Sequence, residues 1–131
     1  MPNEPRLRAE SLTLGYHERT VAERLTVSIP DDGFTAIVGP NACGKSTLLK
    51  ALARAIDPVA GAVHLDGKAI ASYKAKEVAR RLGLLAQSAI APGGITVGDL
   101  VARGRYPHQT MLRQWSAADE IAVTAALAQT S

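Results

Sequence analysis

The sequence predicts an α/β fold, and three observations carry that prediction. Apolar residues alternate with period two through the first thirty positions, a helical period sets in after residue 44, and strand-length apolar runs then alternate with helical stretches. The chain has 131 residues, 47% of them hydrophobic and 21% charged, which allows a packed core and argues against wholesale disorder. Aromatic residues are only 4%, so the core must be aliphatic. The formal net charge of +3, from 15 Lys and Arg against 12 Asp and Glu, permits an anionic small ligand but gives no footprint for nucleic acid. A single cysteine excludes an internal disulfide and points to a reducing compartment.

Taken in order, Leu12 and Leu14 alternate with Ser11 and Thr13, Gly15 and the polar run 17–20 form a turn, and Leu25, Val27 and Ile29 alternate with Thr26 and Ser28. This reads as an antiparallel hairpin. The run Phe34-Thr35-Ala36-Ile37-Val38 is nearly all apolar, as expected of a strand covered on both faces. Leu48, Leu49, Leu52, Ala55 and Ile56 lie on one face of a helix that Pro58 stops. Val63 and Leu65 run into Asp66-Gly67, a hairpin-turn signal. Residues 74–81 read as a short helix and Leu82–Ala86 as a second buried strand, followed by the loop signal Pro92-Gly93-Gly94. Thr96 with Asp99, and Ser116 with Asp119, match the capping-box spacing and predict helices over about 97–104 and 117–129. The first eight residues lack the apolar centre of a secretory signal, and no stretch is long and apolar enough for a membrane span.

Residues 39–47 read Gly39-Pro40-Asn41-Ala42-Cys43-Gly44-Lys45-Ser46-Thr47, a full match to G-x-x-x-x-G-K-[ST], with an expected strand before it and a helix after it. The two glycines let backbone approach a polyphosphate without a Cβ in the way. Loop amides and the helix N-terminus favour an anion there. Lys45 is placed for the β- and γ-phosphates and the Ser46 hydroxyl for Mg²⁺. The alternative, a glycine-rich turn that happens to precede a lysine, has about a 0.4% chance of one match at this composition. Cys43, at a helix N-terminus beside a lysine, is either a small residue that fits or a reactive thiol.

About 38 residues of hairpin and strand precede the loop, where small kinases and GTPases usually place it near the N-terminus. The arrangement resembles the nucleotide-binding domain of ATP-binding cassette (ABC) proteins, a phosphate-loop (P-loop) NTPase core with an N-terminal antiparallel β-subdomain and a helical subdomain. Three features carry the resemblance. Tyr16 is similar to the aromatic that stacks on adenine, against the alternative of a tyrosine closing a hairpin. Gln87 is similar to the glutamine that links the Mg²⁺ site to the transporter contact, against the alternative of a solvated strand-end residue. The stretch from Ile95 to Trp115, with Arg-Gly-Arg-Tyr-Pro-His at 103–108, looks like the start of the helical subdomain in ATPases that drive iron–siderophore, haem and cobalamin importers. Arg103 and Arg105 read as a solvated or partner-facing helix end rather than a nucleic-acid patch, and His108 as a loop or interface residue.

The resemblance spans essentially all 131 residues but only the first half of the family's domain. It implies residues 1–38 as β-subdomain and core strand, 39–90 as P-loop core and 91–131 as the start of the helical subdomain. It also implies ATP and Mg²⁺ as ligands, with Ser46 and Gln87 at the metal. The implied partners are membrane permease subunits and a second copy of the domain, at the cytoplasmic face of a membrane, with no nucleic acid. Ala42 departs from the glycine most common there, leaving the local backbone angle open.

The family's signature loop and paired acids after a hydrophobic strand do not occur here: Asp31-Asp32 follows Pro30, and Asp119-Glu120 opens a helix. The expectation is an ATP-driven importer subunit as a full-length protein, read here as part of a longer polypeptide, and binding without hydrolysis for these residues alone. A non-transport ABC ATPase in nucleic-acid repair or translation and an inactive fragment are the alternatives; a small-molecule kinase fits poorly with the hairpin and Gln87.

Overall fold

The computed structural model describes residues 4–88 and 90–130. The chain divides between Lys74 and Ala75 into two compact units.

The first unit is built on a sheet. Strands β1 (Leu7–Tyr16), β2 (Arg19–Ile29), β3 (Ala60–Leu65) and β4 (Lys68–Ala69) lie in the order β2-β1-β3-β4. Every neighbouring pair is antiparallel. The expected hairpin is present and longer than the alternation suggested, because each strand carries an irregularity that keeps apolar residues on one side. Ala9 pairs with Val27 but Leu12 with Leu25, so β1 holds one extra residue, and Ser11 has φ 47°. Leu14 then pairs with Ala22, so β2 holds an extra residue in turn, and Arg24 has φ 49°. Such bulges reverse the in–out parity of a strand, which is why Ala9, Leu12 and Leu14 are all buried. Gly61 on β3 faces the bulge at a separation where a Cβ would stand 2.3 Å from the Ser11 carbonyl oxygen, so no side chain fits there. The Asp66-Gly67 turn forms as expected, with both residues at positive φ.

Helix α1 (Lys45–Leu52) covers β1 and buries Leu48, Ala51 and Leu52 against it. It ends earlier than the apolar spacing to Ile56 suggested. Arg54 takes φ 58°, its N–H reaches the Ala51 carbonyl at 3.1 Å, and the Ala55 N–H reaches that of Lys50 at 2.7 Å. This paired pattern closes a helix in the left-handed conformation. The Arg54 guanidinium then donates to the Tyr73 carbonyl at 2.7 Å, and the Tyr73 hydroxyl to the Leu65 carbonyl at 2.7 Å, tying the segment after β4 to the core.

The expected strand at 34–38 does not form. The segment has no regular secondary structure, and Phe34 and Val38 are 97% and 87% exposed. An apolar run becomes a buried strand only when neighbours supply ladder hydrogen bonds and cover both faces, and the antiparallel sheet supplies neither.

The second unit is helical: α2 (Ala75–Arg81), α3 (Val97–Ala102), a 3₁₀ helix (Arg103–His108) and α4 (Ala117–Thr130). The second expected strand, 82–86, is also absent; it trails from α2 with Leu85 90% exposed, for the same reason. Both capping boxes are made. The Asp99 N–H donates to Thr96 Oγ1 at 3.1 Å, and the Ser116 N–H donates to Asp119 Oδ2 at 2.9 Å. Helix α3 is shorter than expected because the chain tightens to 3₁₀ geometry through Pro107. Lys76 holds the 3₁₀ segment by lying 4.5 Å over the Tyr106 ring and donating to the Gln109 carbonyl at 2.8 Å.

Asp119 is buried at the start of α4 and accepts from Arg105 Nε at 2.7 Å. That hydrogen bond, aided by Ser116, holds its carboxyl below the ordinary range against the opposing effect of desolvation. A carboxylate with a lowered folded pKa stabilises the fold above its unfolded pKa, near 3.9, and loses that contribution as the pH falls through the folded value. The start of α4 is therefore expected to hold to about pH 4 and to loosen below it. Asp119→Asn should remove this acid transition; an unchanged transition in an acid titration of the helical signal would exclude Asp119 as its origin.

Candidate functional site

The site is the turn that leads into α1. Residues 39–44 follow an irregular segment and curl back, so that a Cβ on Gly39 would stand only 3.0 Å from the Cys43 sulfur. Gly44 caps α1 with φ 98° and ψ 9°, and the Leu48 N–H bonds its carbonyl at 2.9 Å to start the helix. A Cβ on Gly44 would meet Val21 Cγ1 at 2.5 Å, so both the backbone angle and a neighbour on β2 require glycine there. Ala42 has φ 63°, which answers the question its identity raised: this position is left-handed, and alanine holds it at a cost of about 1 kcal/mol relative to an unstrained angle.

Lys45 is the first residue of α1, and its side chain folds back over the turn. Its Nζ donates to the Gly39 carbonyl at 2.6 Å and the Pro40 carbonyl at 2.7 Å, and lies 3.6 Å from Cys43 Sγ. Ser46 is exposed in the first turn of the helix, while Thr47 turns into the core. No acidic residue lies in that first turn, so no carboxylate of the helix's own first turn offsets the partial positive charge of its N-terminus. The turn thus brings together curled backbone, one ammonium, a hydroxyl at Ser46 and a solvent-facing thiol.

Tyr16 closes β1 opposite Arg19, 43% exposed, on the hairpin end whose β2 residue Val21 walls Gly44. The sequence carried no signal for Val21, because a contact between β2 and the loop is long-range. Gln87 is exposed in a bend of the second unit.

Cys43 is exposed beside Lys45. Its alkylation is expected to block nucleotide binding, with bound nucleotide slowing the modification. Unchanged ATP affinity after complete alkylation would contradict this.

The motif at 39–47, the curled turn and the helix behind it fit the class that the solved structures below share, a P-loop NTPase domain of α/β type. The family model for ABC transporters matches residues 22–130, and the chain belongs to that family. Among curated proteins it is 62% identical over 125 residues to the ferric enterobactin transport ATP-binding protein FepC of Escherichia coli (strain K12), covering 95% of this chain and 46% of that protein. It is 49% identical to the probable siderophore transport system ATP-binding protein YusV of Bacillus subtilis (strain 168), covering 92% of this chain and 44% of that one. The chain thus spans less than half the length of these relatives. Among solved structures, a bacterial Atm1-family ABC exporter with ATP bound matches 80% of this chain and 20% of that one at a TM-score of 0.69 and 29% identity. A putative ABC transporter ATP-binding protein from Pyrococcus furiosus matches 74% of this chain and 46% of that one at a TM-score of 0.61 and 31% identity. Among the described residues, no helix is long and apolar enough to cross a membrane.

Proposed function

We propose that residues 39–47 bind the phosphates of ATP, and that the chain is the ATP-binding part of the energy-coupling subunit of an importer for an iron–siderophore or related metal–organic compound. The observation that carries the nucleotide reading is the curled loop with the Lys45 ammonium turned into it, at a helix whose first turn holds no acidic residue. The transport reading is supported by family membership and by the likeness to siderophore-transport ATP-binding proteins over nearly the whole chain.

The residues present suit Mg-ATP. Glycine at 39 keeps a Cβ out of the curl, Lys45 supplies positive charge, and Ser46 offers an exposed hard oxygen of the kind Mg²⁺ takes. Hydrolysis of ATP supplies the free energy for transport. Lys45 neutralises charge at the β- and γ-phosphates, Ser46 holds the cation, and the loop backbone fixes the chain of phosphates in place. Tyr16 provides an exposed aromatic face for the adenine, and Gln87 is assigned to the cation and the transporter contact. On the same reading, 1–38, 39–90 and 91–131 are the β-subdomain with the segment that leads to the loop, the P-loop core and the start of the helical subdomain. The partners are permease subunits and a second copy of the domain, at the cytoplasmic face of the membrane.

These 131 residues hold Lys45, Ser46 and Gln87 but neither the paired acids after a hydrophobic strand nor the signature loop. Without a carboxylate to position water, they are expected to bind Mg-ATP without turning it over. A steady rate of phosphate release from the purified chain, abolished by Lys45→Ala, would contradict this. Loss of Mg-ATP binding altogether would remove the nucleotide reading itself.

A further inference from the structure

Between the 3₁₀ helix and α4 the chain makes a turn that presents apolar side chains to solvent. The Thr110 N–H donates to the Arg113 carbonyl at 3.1 Å, and the Arg113 N–H donates back to the Thr110 carbonyl at 3.2 Å and to Thr110 Oγ1 at 3.1 Å. Such a reciprocal pair closes a two-residue turn. The residues at its tip are Met111 and Leu112, 96% and 101% exposed, so the fold gains nothing from their being apolar. The base of the turn is braced. The Gln109 N–H bonds the Tyr106 carbonyl at 3.1 Å, Lys76 Nζ donates to the Gln109 carbonyl at 2.8 Å, and Arg80 Nε donates to the Pro107 carbonyl at 2.7 Å. Trp115, the chain's single tryptophan, is half exposed just beyond the tip and lines an open hollow with Arg103, Tyr106 and Gln109.

The charge along this segment is of one sign. No acidic residue stands between Asp99 and Asp119, a stretch that carries Arg103, Arg105, His108 and Arg113. Arg105 is held by Asp119 at 2.7 Å, whereas Arg103 and Arg113 are exposed. Asp99 is the one carboxylate lining the hollow, one helical turn before Arg103, so Arg113, in the turn itself, is the cation set nearest the tip.

We propose that the Met111–Leu112 tip docks on an anionic lipid surface: the two side chains enter the acyl boundary, Arg113 and Arg103 meet headgroup phosphates, and the Trp115 indole sits at the interface. A fluid acyl phase takes two convex apolar side chains without a preformed hollow to receive them. Arginines favour an anionic headgroup layer, and an indole, apolar with one N–H, suits the boundary. A protein partner would need a socket shaped to the tip and acids placed for the arginines. Because the turn is closed and braced before it meets the surface, docking adds little ordering cost. This contact goes beyond the nucleotide reading and needs neither Mg-ATP nor a permease.

Vesicle titration of the nucleotide-free chain tests it, with Trp115 fluorescence reporting on this segment alone. Vesicles of equal parts phosphatidylglycerol and phosphatidylcholine are expected to shift the emission to the blue in a saturable way, and brominated acyl chains to quench it. Phosphatidylcholine alone should bind markedly less, and added salt should weaken binding to the anionic vesicles. Met111→Asp/Leu112→Asp, which removes no packing within the fold, is expected to lower partitioning by at least about tenfold with the helical signal unchanged. Arg103→Gln/Arg113→Gln is expected to bring the anionic vesicles down to the level of phosphatidylcholine alone. An emission unmoved by anionic vesicles overturns the proposal and leaves the tip to a protein partner. So does binding that survives Met111→Asp/Leu112→Asp, or that is lost instead in Phe34→Asp/Leu85→Asp, which alters the other exposed apolar runs. Failure of Mg-ATP to bind leaves these results standing.

Discussion

Lys45→Ala is expected to weaken Mg-ATP binding by about ten- to a hundredfold, because a hydrogen bond to a charged group contributes about 1.5–3 kcal/mol. Hydrogen bonds to charged phosphate oxygens are roughly twice as strong as those to neutral acceptors, and removing the side chain forfeits them. Lys45→Arg keeps the charge but presents a planar fork in place of a compact ammonium, so it is expected to fall between the two. Calorimetric titration of the three proteins with Mg-ATP reads the effect. Equal affinities for wild type and Lys45→Ala would remove Lys45 from the site.

The second large effect is expected at Gly44. Gly44→Ala forces an L-residue to φ 98° and drives a Cβ to 2.5 Å from Val21 Cγ1. Left-handed strain of about 1–2 kcal/mol and overpacking of about 1–3 kcal/mol together predict a loss of about 2–5 kcal/mol, which a lowered urea midpoint would report. Because Gly44 is also the cap of α1, nucleotide affinity should fall with stability. The double variant Gly44→Ala/Val21→Ala tests the division: relief of the clash should recover part of the loss, while the backbone angle keeps the remainder. A single variant as stable as wild type would contradict the geometry of this turn.

What the sequence made legible was what local chemistry decides. Nine consecutive residues carried the loop, Thr96 and Ser116 announced α3 and α4 through caps that close within one helical turn, and Asp66-Gly67 marked its hairpin. What it hid depends on distant partners. The bulges at Ser11 and Arg24 use positive φ at residues that ordinarily avoid it, and the first of them is matched by Gly61 fifty residues on. The runs 34–38 and 82–86 read as buried strands because apolar β-favouring stretches usually are. Whether such a stretch is buried is settled by neighbouring strands, and here Phe34, Val38 and Leu85 face solvent. Arg54 ended α1 before Pro58 did, by a left-handed close that glycine commonly provides and that no spacing rule flags at arginine. At the site, the motif placed Lys45 but gave no hint of Val21 as the wall behind Gly44, or of the ammonium folded onto its own loop.

The most direct measurement is a titration of the ¹⁵N-labelled chain with Mg-ATP, followed residue by residue. Saturable one-to-one shifts centred on Gly39–Thr47 and the hairpin end at Tyr16 are the expected result. Shifts confined to other residues, or none at millimolar nucleotide, would mean that this turn is not a phosphate site.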